Sequence, residues 1–138
     1  KLEKHPEVFD PAVNPYAVRV VITGSRPDPS AFGEFPHFIS FDGFIDVEYT
    51  PEQLERVALI SEPFCRYAKW KGGPEPLPAQ EKQVIEQLIA KSHKAGKPIR
   101  FWCSPDNAVA WETFRKLGID IINTDQPEAC TLYFQQNP

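Results

Sequence analysis

Five clusters of polar residues in this chain carry side chains that can bind anions or form hydrogen bonds. Each cluster directly follows a short apolar run, and the clusters are Thr23-Gly24-Ser25-Arg26, Asp42-Gly43, Ser61-Glu62-Pro63, Ser104-Pro105-Asp106 and Asn123-Thr124-Asp125. An apolar run that stops at a polar cluster and leads into a helix predicts a βα unit, and repeated units build a parallel sheet. The clusters should then gather at the carboxyl edge of that sheet, where α/β proteins place their chemistry.

Two basic side chains are suited to an anionic ligand. Arg26 follows a strand end, where its planar guanidinium can hold a phosphate, with a solvated loop charge as the alternative. Lys69 stands beside Trp70 in a long loop. A cation next to an aromatic ring suits a phosphate or a polyol, but it also suits the edge of a lid. We interpret Asp42-Gly43 as a turn pair.

The elements that position these clusters alternate in type along the chain. Strands are predicted at Tyr16–Thr23, His37–Phe41, Ala58–Ile60, Ile99–Cys103 and Ile119–Ile122, helices from Thr50, at Ala79–Ala95, at Asn107–Leu117 and from Pro127, and irregular connections at 1–16 and 63–78. Thr50 and Gln53 predict a capping box around Pro51. Gly96 and Gly118 are placed to end the two clearest helices.

The composition excludes two classes of protein. The 138 residues are 41% hydrophobic and 25% charged, as in ordinary globular domains. The net charge of −4 argues against a partner such as nucleic acid, whose binding needs a basic face. No apolar stretch approaches the roughly 18–20 residues of a membrane span, so we expect no integral membrane segment. Because the chain starts at Lys1 and has no methionine, we expect a processed product or a segment of a longer protein.

The cysteines predict no disulfide framework. Cys65, Cys103 and Cys130 are few and scattered, and an odd number leaves at least one thiol without a partner in the chain. Cys103 lies in a predicted apolar strand, so we interpret it as a buried small hydrophobic residue. This cysteine pattern favours neither an oxidising nor a reducing compartment.

The predicted fold class is α/β, with parallel strands and crossover helices. An open doubly wound sheet is one architecture, but the chain has no early glycine-rich phosphate loop of either common type. Part of a barrel is the other, although half a barrel alone would expose strand edges and an apolar inner face. The pattern favours part of a barrel, with residues 1–138 forming one partial domain.

Several segments together resemble one superfamily. Gly96-Lys-Pro-Ile-Arg-Phe-Trp-Cys-Ser-Pro-Asp-Asn107, Ala110-Trp111 and Gly118-Ile-Asp-Ile-Ile-Asn-Thr-Asp125 resemble the closing βα units of the glycerophosphodiester phosphodiesterase and phosphatidylinositol-phospholipase-C-like barrels. Val20-Val-Ile-Thr-Gly-Ser-Arg-Pro27, Ile39-Ser-Phe-Asp-Gly43, and Ala58-Leu-Ile-Ser61 with Tyr67-Ala-Lys-Trp70 resemble the middle strands. Most similar is the branch that includes fungal mitochondrial-inheritance proteins and many bacterial secreted proteins. The resemblance spans about residues 17–134.

This resemblance implies the C-terminal part of a TIM-type (β/α)8 barrel that cleaves a phosphodiester by general acid–base catalysis. The superfamily uses two histidines near its first strands and acidic ligands for a divalent cation, calcium or magnesium. The histidines here are His5, before the first strand, His37, at a strand start, and His93, on a helix. We expect none of them to be catalytic. The acid–base pair and the cation ligands are therefore expected in a missing N-terminal half, and this chain alone is expected to be inactive.

The resemblance also implies substrate-binding residues at the strand ends. Trp102 matches an aromatic residue that walls the substrate pocket, with core packing as the alternative. Asp106 is either a pocket residue or the cap of the helix at Asn107. Asn123 and Asp125 close the last strand, and Asp125 can instead hold backbone amides or orient a group from the missing half. The candidate substrate-binding residues are Arg26, Lys69, Trp102, Asp106, Asn123 and Asp125.

The predicted function is a phosphoric diester hydrolase of lipid metabolism, acting on a small glycerophosphodiester or phosphatidylinositol-type substrate. A secreted or periplasmic location is favoured because the similar proteins are commonly exported. If the parent protein lacks the histidine pair and the metal cluster, a non-catalytic α/β domain that binds a phosphorylated or carbohydrate ligand is the alternative. A third hypothesis is an open α/β binding domain complete in itself.

Overall fold

The computed structural model describes residues 1–138 and has an α/β architecture with five parallel strands. The strands are β1 (Val20–Ile22), β2 (Ile39–Gly43), β3 (Val57–Pro63), β4 (Ile99–Trp102) and β5 (Ile121–Ile122), and the α-helices are α1 (Pro6–Phe9), α2 (Pro51–Glu55), α3 (Phe64–Tyr67), α4 (Ala79–Lys94), α5 (Ala108–Leu117) and α6 (Pro127–Gln136). Short 3-10 helices cover Leu2–Lys4 and Pro29–Glu34. The predicted α/β class is therefore confirmed. None of the helices combines the length and the apolar character that a bilayer crossing requires.

The chain divides into two compact units, Lys1–Leu59 and Ile60–Pro138. In the first unit β1 pairs with β2, and Ile22 lies in register with Phe41. The fully buried ring of Phe41 stacks on Phe32 at a centroid distance of 4.0 Å and meets Phe35 edge-on at 5.4 Å. The buried rings of Phe32 and Phe41 each contribute about 1.5–3 kcal/mol, so this cluster fixes β2 and with it the position of Asp42.

In the second unit β3, β4 and β5 lie side by side, with Phe101 in register with Glu62 on one side and with Ile122 on the other. Phe101 meets the ring of Phe64 edge-on at 6.1 Å, and Phe64 meets Phe114 of α5 at 5.3 Å. This aromatic core fixes the ends of β3 and β4 against α5.

Helix boundaries follow the capping rules. Gln53 N–H donates to Thr50 Oγ1 and Thr50 N–H donates to Gln53 Oε1, which confirms the capping box at α2. Asn107 Oδ1 accepts from Ala110 N–H at 3.0 Å and caps α5. Gly118 ends α5 with φ +83°, a conformation that costs glycine little.

The predicted first strand was wrong in length. Of the predicted strand Tyr16–Thr23, only Val20–Ile22 is in β conformation, and Tyr16 is 90% exposed. Local turns occupy the preceding backbone groups, because Tyr16 N–H donates to Asn14 Oδ1 and Val18 N–H donates to Val8 O. These bonds compete with a sheet ladder.

Other strand ends also differ from the prediction. Asp42 and Gly43 belong to β2 and not to a turn. A carboxylate is tolerated there because an arginine pairs with it, as described below. β3 continues to Pro63 and leads directly into α3, where an irregular connection was predicted. β4 ends at Trp102 and leaves Cys103 outside the strand, and β5 begins only at Ile121.

Candidate functional site

A buried ion pair between Arg26 and Asp42 is the main polar feature at the strand ends of the first unit. Arg26 Nη1 donates to Asp42 Oδ1 at 3.0 Å, and the two side chains are 10% and 7% exposed. Arg26 Cζ also lies 3.6 Å from the centroid of the Phe44 ring. Arg26 is therefore not a solvated loop charge. Its guanidinium is oriented by a carboxylate and an aromatic face, and a guanidinium carries further N–H donors for an anion.

The register of β1 and β2 explains why these residues meet. Ile22 is aligned with Phe41, so the residues that follow β1 pass beside Asp42. Gly24 then adopts φ +75° and its carbonyl accepts from Arg26 N–H at 2.9 Å. This tight turn directs the Arg26 side chain back to β2.

Glu62, at the end of β3 in the second unit, is a functional candidate that sequence reasoning missed. Its side chain is fully buried, and Tyr67 Oη donates to Glu62 Oε2 at 2.8 Å. Buried carboxylates are rare unless hydrogen-bonded and often mark functional sites. The available signal was the Ser61-Glu62-Pro63 cluster followed five residues later by the tyrosine.

Arg100 and Trp102 occupy one face of β4. Arg100 Nη2 donates to Ser61 Oγ at 2.9 Å and Nε donates to it at 3.3 Å, across the register pair of β3 and β4. Alternate residues of a strand share a face, so Trp102 lies on the same side as Arg100. The Trp102 side chain is 44% exposed, so it is not packed in the core. The face therefore combines a cation with an accessible aromatic ring.

Asp106 joins the loop after β4 to the loop after β5. Its Oδ1 accepts from Trp111 Nε1 at 2.8 Å and its Oδ2 accepts from Asp125 N–H at 2.9 Å. Partial burial alone would raise the pKa of Asp106, but hydrogen bonds from Thr124, Asp125, Trp111 and Gln126 together lower it below its ordinary value. Asp106 does not cap α5, because Asn107 does.

The three remaining candidate residues are Asn123, Asp125 and Lys69, and none of them is fully buried. Asn123 is half-buried, and Asp125 and Lys69 are exposed. Trp70 is buried instead, with Nε1 donating to Glu75 O at 2.8 Å and its ring edge-on to Phe114. The predicted surface made by Lys69 and Trp70 is therefore divided, with the ring in the core and the cation in solvent.

Comparison of this chain with known protein families, curated proteins and solved structures finds no match. The superfamily resemblance thus depends on the quoted sequence segments.

All three histidines lie next to carboxylates in exposed positions. His5 Nδ1 is 3.5 Å from Glu7 Oε1, and His37 Nε2 is 3.0 Å from Asp10 Oδ1. His93 Nε2 is 2.8 Å from Asp120 Oδ2. No three His, Cys, Asp or Glu residues are grouped so that they could hold a metal ion.

The prediction for Cys103 was wrong. Cys103 is exposed, lies just beyond β4, and forms a disulfide with Cys65 of α3 at a Cα–Cα distance of 5.6 Å. The two residues are 38 positions apart, so only the packing of β3 against β4 reveals the pairing. Cys130 is the remaining free thiol, and burial, together with the charge of Asp106, raises its pKa. A thiol with a raised pKa is a poor nucleophile at neutral pH.

Proposed function

We propose that this chain forms the C-terminal part of a TIM-type barrel in a phosphoric diester hydrolase. Five parallel strands with polar residues at their carboxyl ends support this proposal, since that edge carries the active site in such barrels. The substrate is a small glycerophosphodiester or phosphatidylinositol-type compound, and the residues of this chain bind it.

The pairing of Arg26 with Asp42 and Phe44 is the single observation that carries the proposal. Fixing a guanidinium by a buried carboxylate at 3.0 Å and a ring at 3.6 Å reduces the conformational entropy lost on binding. An arginine in this state suits the planar, doubly hydrogen-bonded recognition of a phosphate. The buried pair costs desolvation free energy, and a binding role explains why such a pair is kept.

The acid and base of the reaction are assigned to the N-terminal half of the barrel, outside this chain. Each histidine here is exposed and adjacent to a carboxylate in a loop or on a helix. The ligands of a calcium or magnesium ion belong to the same outer part. We assign the protein to a secreted or periplasmic location, and the exposed Cys65–Cys103 disulfide supports this, because such bonds persist mainly in oxidising compartments.

The test uses the natural full-length protein that contains these residues. Hydrolysis of glycerophosphocholine and glycerophosphoinositol is measured with calcium, with magnesium and with a chelator. Arg26→Lys keeps a positive charge beside Asp42 but removes the planar fork, so we expect kcat/KM to fall by about tenfold or more. Arg19→Lys is the matched control, because Arg19 is exposed in the same unit. Equal activities of the two variants, or no hydrolysis of any diester, would refute the proposal.

A non-catalytic domain that binds a phosphorylated or carbohydrate ligand is the second candidate. The positions of the histidines favour it, since this chain offers no imidazole at a strand end. Calorimetric binding of glycerol 3-phosphate, weakened by Arg26→Lys and without any turnover of diesters, would establish this alternative.

A further inference from the structure

The Cys65–Cys103 disulfide joins α3 to the loop after β4, at the strand ends of the second unit. Cys65 lies in α3 just beyond β3, and Cys103 follows the last residue of β4. Both residues are exposed, so a reductant in solution can reach the bond. A cleft of about 140 Å³ borders both cysteines, together with Lys71 and Ser104, and gives access from one side.

Cys103 holds an unusual backbone conformation next to Trp102. Its φ is +53°, and it is the only residue other than glycine with a positive φ. Such a conformation persists only where the surroundings fix it. The disulfide is a covalent constraint on this residue, so its loss would leave the peptide after Trp102 freer to relax to negative φ and change the direction of the chain.

The loop after β4, residues 103–107, is also packed against its neighbours. A Cβ atom added at Gly72 would lie 2.8 Å from Pro105 Cβ and 2.8 Å from Asn107 Nδ2, so the segment after α3 touches this loop closely. Asp106 of the loop in turn accepts from Asp125 N–H. A change at Cys103 therefore has a continuous path of contacts to Asp125.

We propose that the Cys65–Cys103 disulfide is a redox-sensitive lock on the loop after β4, opened by a small dithiol. One thiolate of the dithiol attacks a cysteine sulfur, and the S–S bond breaks to give a mixed disulfide and a cysteine thiolate. The second thiol then attacks the mixed disulfide and releases the other cysteine. The protein gains two electrons and two protons, and the dithiol becomes a cyclic disulfide. The effect of this lock on substrate rests on the proposed function, whereas its effect on the loop does not.

The test measures the loop itself. The full-length protein is treated with dithiothreitol under native conditions, and reduction of the Cys65–Cys103 bond is verified by thiol alkylation and mass. We expect hydrogen exchange of the amides of Ala110 and Asp125, which are bonded to Asn107 and Asp106, to increase by about tenfold or more. Tryptophan fluorescence should change as well, and this change should be smaller in Trp102→Phe, where Trp70 and Trp111 alone report it.

The double variant C65S/C103S separates the lock from other effects of the reductant. It should show the faster exchange without dithiothreitol and no further change with it. Unchanged exchange after verified reduction, or a bond that dithiothreitol cannot reduce in the folded protein, would overturn the lock. Faster exchange with unchanged diester hydrolysis would leave the lock supported and remove Trp102, Asp106 and Asp125 from the proposed substrate pocket.

Discussion

Asp106→Asn should destabilise the protein by removing one acceptor from a carboxylate that uses both oxygens. Trp111 Nε1 donates to one oxygen at 2.8 Å and Asp125 N–H to the other at 2.9 Å. An asparagine has one acceptor oxygen, so one of these donors faces an NH2 group and stays unsatisfied. An unsatisfied, partly buried donor costs about 1–3 kcal/mol. We expect a loss of about 2 kcal/mol in the free energy of unfolding at neutral pH.

The matched control is Asp125→Asn, which removes the same charge from the adjoining loop. The Asp125 carboxylate is exposed, and only the backbone N–H of this residue bonds to Asp106. Its replacement should change stability by less than about 0.5 kcal/mol. Denaturant unfolding followed by tryptophan fluorescence gives both values. Equal stabilities of the two variants would refute the role assigned to the Asp106 carboxylate.

The same variant has a pH signature. The pKa of Asp106 is lowered in the folded protein. Burial alone would raise it, but the hydrogen bonds from its neighbours lower it by more. A lowered folded pKa contributes stability above the unfolded value of about 3.9, and that contribution is lost as the pH falls through the folded value. The stability difference between wild type and Asp106→Asn should thus be constant at neutral pH and shrink below about pH 4. A difference independent of pH would show that the carboxylate charge is not involved.

Two further substitutions, Gly72→Ala and Asp120→Asn, test the packing and the hydrogen bonding of the second unit. Gly72→Ala should lower the free energy of unfolding by about 1–3 kcal/mol, because the new Cβ would lie 2.8 Å from Pro105 Cβ at φ +73°. Gly24→Ala is the control, because Gly24 has a similar φ of +75° but open space around it, and it should cost about 1 kcal/mol. Thermal unfolding compares the two variants. Burial alone would raise the pKa of Asp120, but its interactions with neighbouring groups, among them the hydrogen bond with His93, lower it by more in the folded protein. The ionised carboxylate therefore stabilises the fold, and this contribution is lost in acid. The free energy of unfolding of Asp120→Asn should fall less than that of the wild type when the pH drops below about 4, as acid titration measures.

Local sequence rules predicted the parts of this fold that depend on neighbours in the chain. Gly118 ends α5 as predicted, because capping is a matter of a few consecutive residues. The N-terminal cap is Asn107, one residue after Asp106, the cap candidate of the sequence. Thr50 with Gln53 delimits α2 for the same reason.

Long-range partners escaped the sequence because they depend on strand register. Asp42 was predicted to lie in a turn, because its neighbours in the chain do not indicate its partner. That partner is Arg26, which lies 16 positions earlier in the sequence and pairs with the carboxylate. Cys103 was predicted to be a buried residue of an apolar strand for the same reason. Its partner Cys65 becomes its neighbour only when β3 pairs with β4. The ends of the apolar runs predicted where the polar clusters lie, while the burial and pairing of their side chains required the structure.

The loop that follows β4 shows how the second unit can hold a strand-end side chain with little mobility. A covalent bond fixes Cys103, a close backbone approach from Gly72 fixes Pro105, and two hydrogen bonds fix the carboxylate of Asp106. Each constraint acts on a different residue and the three act together, so loss of the disulfide increases the motion of the loop. Trp102 immediately precedes this loop and keeps 44% of its surface exposed. An exposed aromatic ring on a restrained backbone loses little conformational entropy when a ligand packs against it, and this is the physical reason to expect ligand contact at Trp102.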